Sequence, residues 1–436
     1  MTESDSQFIH WFRSAAPYIR VHRGKTFVVQ FDDALVYSDK FSELVHDLAL
    51  LNSLGIRLVL VFGARQSIEV WLNENGQDSS FHHGVRLTDA DTMELVKTAA
   101  GRLRVEIEAR LSLGIGNTPM SNAKLLVSSG NYVSAKPAGI VDGVDYQFTG
   151  KVRSVDHDSI QLKLDNNEIV LIPPLGYSVT GEVFNLNSVS LAADLAVALQ
   201  ADKLIYLIEG SGLLDCNNEL IAQLMHTEVN SLLVKGEIEE SNYLDAARQA
   251  CQQGVKRVQL IDREQSGAIL QELFSRDGTG TMISASSYDI VRQAANEDIP
   301  GILALIEPLE KQGVLVERSR EKLELEIESF QVMLRDNVII GCAALHRFSS
   351  VRTAELACFA VHPEYHGQAM GEQLLSTMES HAKASQLENI FVLTTQAEHW
   401  FIEKGFAEST LEALPVEKKE LYNYQRKSRV LMKTLV

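Results

Sequence analysis

Residues 355–375 read ELACFAVHPEYHGQAMGEQLL, an apolar run followed by a His-Pro-Glu turn, a loop with two glycines and an amphipathic stretch. These residue types predict a buried strand, a polar turn, and a small-residue loop opening a helix that uses Leu374, Leu375 and Met378. The first backbone N–H groups of such a helix lack intrahelical partners and stand at the positive end of its dipole. The segment is therefore an anion cradle, suited to a phosphate or pyrophosphate without many cationic side chains. Two basic clusters stand out from an acidic background: Arg318 with Arg320, and residues 421–436, which hold Arg426, Lys427, Arg429 and Lys433 and no acid. Planar guanidinium groups of this kind suit a ligand that brings carboxylates.

The elements that must position these groups belong to a chain of 436 residues, long enough for two or three domains. Its 40 basic and 58 acidic residues leave a net charge of −18, which excludes a general cationic surface for nucleic acid or an anionic membrane. Hydrophobic content of 45% and 9 prolines describe a folded globular protein, and no apolar run approaches a membrane span. Cys216, Cys251, Cys342 and Cys358 form no Cys-x-x-Cys and no Cys/His set at metal-ligand spacing, so a reduced cytoplasm and no metal are expected. Residues 4–16 predict an amphipathic helix with Phe8, Ile9, Trp11 and Phe12 on one side. Strands at 26–31, 57–62, 203–208 and 256–261 alternate with helical patterns, the rhythm of a mostly parallel sheet between helices. Residues 159–164 and 168–172 flank an Asp-Asn-Asn turn and read as a hairpin. A short Ser/Ala run near 284–287 marks the boundary, giving domains 1–284 (α/β) and 285–436 (α+β).

The segment His366-Gly367-Gln368-Ala369-Met370-Gly371 resembles the Arg/Gln-x-x-Gly-x-Gly/Ala acyl-coenzyme A signature of the GNAT acetyltransferases, with His at the basic position and Ala at the fourth. FVLTTQAEHWFIEKGF and the distal LYNYQRKSRVLMKTL resemble the C-terminal domain of the bacterial N-acetylglutamate synthase family, acetyl-coenzyme A:L-glutamate N-acetyltransferases of arginine biosynthesis. The resemblance implies that acetyl-coenzyme A is held by Phe359, Val361, His366, Gly367, Gln368, Ala369 and Gly371. An α-amine attacking a thioester must lose a proton, and the forming oxyanion needs donors. Glu355, at the start of the apolar strand, is the first choice for the base, directly or through a water. Cys358 and its neighbours would supply main-chain N–H donors. Strict alternation puts Glu355 and Cys358 on opposite faces, so joint service requires a bulge between them. For the acid that meets the thiolate, Tyr422, Tyr424 and His399 are candidates. The resemblance also implies that Arg318 and Arg426 clamp the glutamate carboxylates, with Ser428 adding a hydrogen bond.

LVLVFGARQSI, FNLNSVSLAADLAVAL, KLIYLIEGSGLLD and residues 254–282 resemble the amino-acid kinase family, particularly N-acetylglutamate kinase. Such kinases hold the transferring phosphoryl group with a first-strand Lys-x-Gly-Gly. Here that strand ends Val29-Gln30-Phe31-Asp32-Asp33, and residues 237–253 contain no lysine. Carboxylates where phosphates belong repel ATP, so an inactive kinase fold is expected. Arginine-sensitive members of the synthase family imply another use for it, as a feedback site in which Tyr18 stacks on the guanidinium, Glu272 pairs with it, and Lys203, Gly278 and Gly280 line the pocket. The amphipathic first helix and the resemblance together imply a homo-oligomer, a ring of six subunits. The competing readings are an acetylglutamate kinase-type phosphotransferase and an arginine-sensing binding module.

Overall fold

The computed structural model describes residues 3–113, 125–215, 217–229, 241–285, 290–335, 338–348, 351–366, 370–420 and 428–435. Contacts divide the chain into two compact units, Met1–Ser286 and Ser287–Val436. Among the described residues no helix is long and apolar enough to cross a membrane.

The first unit opens with α1 (Glu3–His22), then β1 (Thr26–Phe31), β2 (Arg57–Phe62), α2 (Arg65–Glu74) and α3 (Ala90–Ser112). It continues through β3 (Ile169–Ile172), α4 (Ser188–Ala198), β4 (Lys203–Ile208), α5 (Ser241–Gln252), β5 (Arg257–Asp262), α6 (Ala268–Phe274) and β6 (Thr281–Ser284). The eight-stranded sheet runs Gln223–Met225, β6, β5, β4, β1, β2, β3, Val127–Ser128. β1 pairs in parallel with both β2 and β4, and only β5 with β6 is antiparallel. β1 and β4 are buried at every position, as largely apolar strands covered on both faces must be, with Thr26, Gln30 and Lys203 as their buried polar members. Phe27, Val29 and Phe31 join the core on the α3 side, whereas Val28 joins the core containing α4 and α5.

Residues 159–164 are not a hairpin strand. They lie in a helix, His157–Asp165, whose N-cap Asp156 accepts from the Ser159 amide at 3.1 Å. Ile160 and Leu164, spaced by four, are its buried residues, so the helical period prevails over the turn signal. β3 then joins the central sheet in parallel with β2. α1 runs on past the expected end at residue 16 to His22: Ala15, Tyr18, Ile19 and His22 face the body, while Ile9, Trp11 and Phe12 are exposed.

The second unit contains β7 (Ile290–Gln293), α7 (Ile299–Lys311), α8 (Arg320–Glu326), β8 (Phe330–Arg335), β9 (Val338–Arg347) and β10 (Thr353–Val361). After it come α9 (Met370–Ala384), β11 (Asn389–Thr394), α10 (Glu398–Glu403), β12 (Ala407–Ser409), α11 (Val416–Glu420) and β13 (Arg429–Thr434). Its seven-stranded sheet runs β7-β8-β9-β10-β11-β13-β12, antiparallel except between β10 and β11. α9 and α10 pack on one face through Leu374, Leu375, Met378 and Phe401, and α7 and α8 on the other through Ile302, Ile306 and Leu323.

Candidate active site

β10 carries the features that make a site. It pairs with β11 only at Thr353, Ala354 and Glu355, and beyond Glu355 the two strands have no ladder partners in each other. The open edges expose main-chain donors and acceptors to which an extended amide-bearing chain can add as a strand. Against β9 the register slips: Ala344 faces Ala357 but Cys342 faces Ala360, so Cys358 and Phe359 stand opposite Ala343 alone. This is a β-bulge, and Cys358 adopts a φ of 50°, the left-handed region that few non-glycine residues occupy. The face changes there. Ala354 and Leu356 pack toward α9, whereas Cys358 and Ala360 pack toward α7. The bulge thereby brings Cys358 to the Glu355 side of the strand.

On that side Glu355 is 7% exposed, and Lys418 of α11 reaches its carboxylate at 2.6 Å. His346, the cross-strand neighbour of Glu355, packs edge-on against Phe330 and lies 3.8 Å from Glu326. Burial holds the His346 imidazole below its ordinary range, against the pull of Glu326 and Glu355. Arg318, with a side chain only 10% exposed, faces Glu326 at 3.8 Å, and its Nε has no hydrogen-bond partner among the described residues. A buried guanidinium with an unsatisfied donor is set to receive an acceptor. Cys342 and Cys358, distant in sequence, meet here, with the Cys342 thiol 3.5 Å from the Cys358 carbonyl oxygen. The Cys358 thiol is buried, which suits main-chain service better than attack on a substrate.

The other expected residues are placed as follows. Phe359 and Val361 are half-buried toward the α9 core, and Phe359 packs on Trp400 and Phe401 at 5.5 and 5.7 Å. His366 is exposed and bonds the Val361 carbonyl at 2.9 Å, which uses its ring to close the turn after β10. Gly371 lies in the first turn of α9, where a Cβ would come 3.1 Å from Trp400. Ser428 is half-buried just before β13, and His399 is exposed. Gly367, Gln368, Ala369, Arg426, Tyr422 and Tyr424 lie outside the described residues. Lys418, His346 and Glu326 were not anticipated. Lys418 stands in a short charged stretch with no motif, and His346 is visible only through its strand register.

Residues 25–262 match the amino acid kinase family and residues 300–406 the acetyltransferase (GNAT) family. The chain is 47% identical over 430 residues to an amino-acid acetyltransferase of Pseudomonas fluorescens (strain Pf0-1), covering 98% of this chain and 100% of the relative. To the amino-acid acetyltransferase of Escherichia coli (strain K12) it is 46% identical over 440 residues, 99% of each. A solved N-acetylglutamate synthase from Neisseria gonorrhoeae, complexed with coenzyme A and L-arginine, superposes with a TM-score of 0.85 at 36% identity, covering 98% of this chain and 99% of that one. The same enzyme complexed with coenzyme A and N-acetyl-glutamate gives a TM-score of 0.64 at 37% identity, with the same coverage.

The chain belongs to the amino-acid acetyltransferase family.

In this acetyltransferase the crevice of the kinase-like unit is filled by its own carboxylates. Asp33 is 1% exposed and accepts from the amides of Gln66 and Ser67 at 3.3 and 2.5 Å, so it occupies the N-terminus of α2 where an anion would bind. Asp32 accepts from Gln30 at 3.1 Å and Tyr243 at 3.4 Å. Burial, reinforced by Asp33, raises its carboxyl above the ordinary range. Its Oδ1 would lie 2.4 Å from a Cβ on Gly63.

The five residues expected around an effector fall on neighbouring elements. Tyr18 is on α1, which packs on α6, and the His22 ring bonds the Leu273 carbonyl at 2.9 Å. Glu272 is 9% exposed and accepts from Gln259 at 2.8 Å and from the amides of Thr279 and Gly280 at 2.7 and 3.1 Å. Gly278 has a φ of 67°, and a Cβ there would lie 2.3 Å from the Glu272 carboxylate; one on Gly280 would lie 2.0 Å from the Leu260 carbonyl. Lys203 opens β4 and is buried.

Proposed function

We propose that this acetyltransferase moves the acetyl group of acetyl-coenzyme A to the α-amine of L-glutamate, giving N-acetyl-L-glutamate as the first step of arginine biosynthesis, under feedback inhibition by L-arginine. The observation that carries this reading is the split between β10 and β11 beside a bulge that puts Glu355, Cys358 and the unsatisfied Arg318 on one side of the sheet. The exposed strand edges fit the amides of a pantetheine arm. The N-terminus of α9, which begins at Met370 and Gly371, fits a pyrophosphate. Acetyl-coenzyme A supplies the activated acyl group, and no metal is needed for this transfer.

Glu355 takes the amine proton, directly or through a water, a role worth about 10² to 10⁴ in rate. The bulge amides at Cys358 and Phe359 donate to the acyl oxygen as charge develops on it, where one such donor is worth roughly 10² to 10³. Arg318, Arg426 and Ser428 hold the two carboxylates of glutamate and so fix the amine in front of the acyl carbon. Residues 285–436 form the catalytic domain and 1–284 the regulatory domain, where arginine binds beside Tyr18, Lys203, Glu272, Gly278 and Gly280. The carboxylates at Asp32 and Asp33 support a crevice that no longer transfers phosphate. Exposed apolar residues on α1 support a homo-oligomer, with a hexamer as our reading. Three buried cysteines that remain thiols fit the cytoplasm.

The test is free thiol released from acetyl-coenzyme A. Release should require glutamate, ignore ATP and fall on adding arginine. ATP-dependent phosphorylation of acetylglutamate, or arginine binding without glutamate turnover, would overturn the assignment. Arg318→Ala and Arg426→Ala should each raise the KM for glutamate far more than that for acetyl-coenzyme A, by about tenfold or more if each removes one charge-assisted pair.

A further inference from the structure

Two β-hairpins of the first unit meet at their tips. One pairs Phe81–His82 with Val85–Arg86 and turns at His83 and Gly84, with φ of 50° and 73°. The other pairs Ile140–Val141 with Val144–Asp145 and turns at Asp142 and Gly143, with φ of 49° and 81°. Two successive positive φ values define the two-residue turn that matches strand twist, and they fix where the side chains of His83 and Asp142 emerge. His83 Nε2 lies 3.0 Å from Asp142 Oδ2, and the His82 and His83 rings are 4.1 Å apart between centroids. One nitrogen of each imidazole and a carboxylate oxygen of Asp142 all lie within 4.8 Å of one another.

His82 is also preset. The buried Tyr146 hydroxyl donates its single proton to the His82 carbonyl at 3.1 Å and lies 2.9 Å from His82 Nδ1. In that arrangement the phenol oxygen accepts from Nδ1–H, and this is the tautomer that presents the His82 lone pair on Nε2. A histidine oriented by a second hydrogen bond in this way is the usual form of a metal ligand.

We propose that His82 Nε2, His83 Nε2 and the Asp142 carboxylate form a binding site for a divalent transition metal of the zinc class, with water completing the coordination. Two imidazoles and one carboxylate suit zinc, copper or nickel and not magnesium or calcium, which require oxygen ligands. On binding, the proton now on His83 Nε2 moves to Nδ1 or to solvent, and the metal takes its place between His83 and Asp142. The ion ties together two hairpins separated by 59 residues in the chain. Sequence spacing conceals the set, because the ligands come from different hairpins.

The experiment is calorimetric titration of metal-stripped full-length protein with zinc chloride, alongside magnesium chloride. One zinc should bind and magnesium should not. His83→Ala and Asp142→Asn, both at exposed positions, should each weaken zinc at least about tenfold, and Tyr146→Phe should weaken it by a similar factor through loss of the preset tautomer. Cobalt(II) in the same site should show ligand-field absorption without a sulfur charge-transfer band, which separates these ligands from the cysteines. Zinc affinity unchanged in His83→Ala and Asp142→Asn, or no zinc uptake by the parent protein, would overturn the proposal and leave a hydrogen-bonded hairpin contact only.

Discussion

Glu355 and Lys418 form a nearly buried ion pair at 2.6 Å, with side chains 9% and 22% exposed. Removing one partner of such a pair leaves the other uncompensated, which is worse than losing both. Glu355→Gln should therefore lower kcat by about 10² or more with little change in either KM. Lys418→Met should lower kcat by a smaller factor while also lowering the melting temperature, because Glu355 then keeps its place without its cation. A KM effect confined to glutamate would instead make Lys418 a substrate contact. His346 gives the site a pH signature. Its folded-state value lies below the ordinary histidine range, mainly through burial, so the unfolded chain binds the proton more readily. Stability contributed by His346 is full above about pH 6.5 and is lost as pH falls below it toward the folded-state value. The melting temperature of the parent should drop between pH 7 and 5 more steeply than that of His346→Gln, measured by calorimetry at fixed ionic strength.

At the scale of elements, the bulge in β10 is the decisive device, and it was partly legible. The demand that Glu355 and Cys358 share a face required an extra residue, and the register slip at Cys358 and Phe359 supplies one. The α/β rhythm of the first unit was also readable, because buried parallel strands are continuous apolar runs. Residues 157–165 were misread because a turn-rich Asp-Asn-Asn segment next to an apolar run serves equally well to end a helix. Long-range pairings such as Lys418 with Glu355 left no local trace, since spacing along the chain carries no information about a strand meeting a distant helix. The α6–β6 loop makes its own prediction. A Cβ on Gly280 would sit 2.0 Å from main-chain oxygen, which cannot yield as a side chain can. Gly280→Ala should cost about 2 to 3 kcal/mol, roughly 3 to 5 °C in the unfolding of the first unit. It should also abolish arginine inhibition while acetyl transfer persists, as read by calorimetry and the thiol assay.

At the scale of the whole molecule, the chain joins a unit of amino acid kinase type, with Asp33 at the N-terminus of α2, to a GNAT unit whose sheet splits between β10 and β11. The first carries Asp32 and Asp33 after β1, where the resemblance to kinases leads one to expect a lysine and glycines, and it keeps a fully built core, which supports the proposed regulatory role. Ile9, Trp11 and Phe12 on α1 are 37%, 45% and 54% exposed, three large apolar side chains within one turn of a helix. Replacing all three with serine should lower the light-scattering mass without altering the monomer's circular dichroism. An unchanged mass would mean that the helix does not join subunits. Farther along the same helix, on the stripe that Trp11 begins, stand Tyr18 and His22, and His22 is tied to the Leu273 carbonyl beside Glu272. In the proposed assembly the exposed first half of this one rod would meet a neighbouring copy while its second half borders the proposed effector pocket. By reciprocity, inhibitor occupancy and subunit affinity are then coupled. Dilution should weaken the inhibitor's potency, and saturating inhibitor should shift the dissociation curve of the assembly by the same factor.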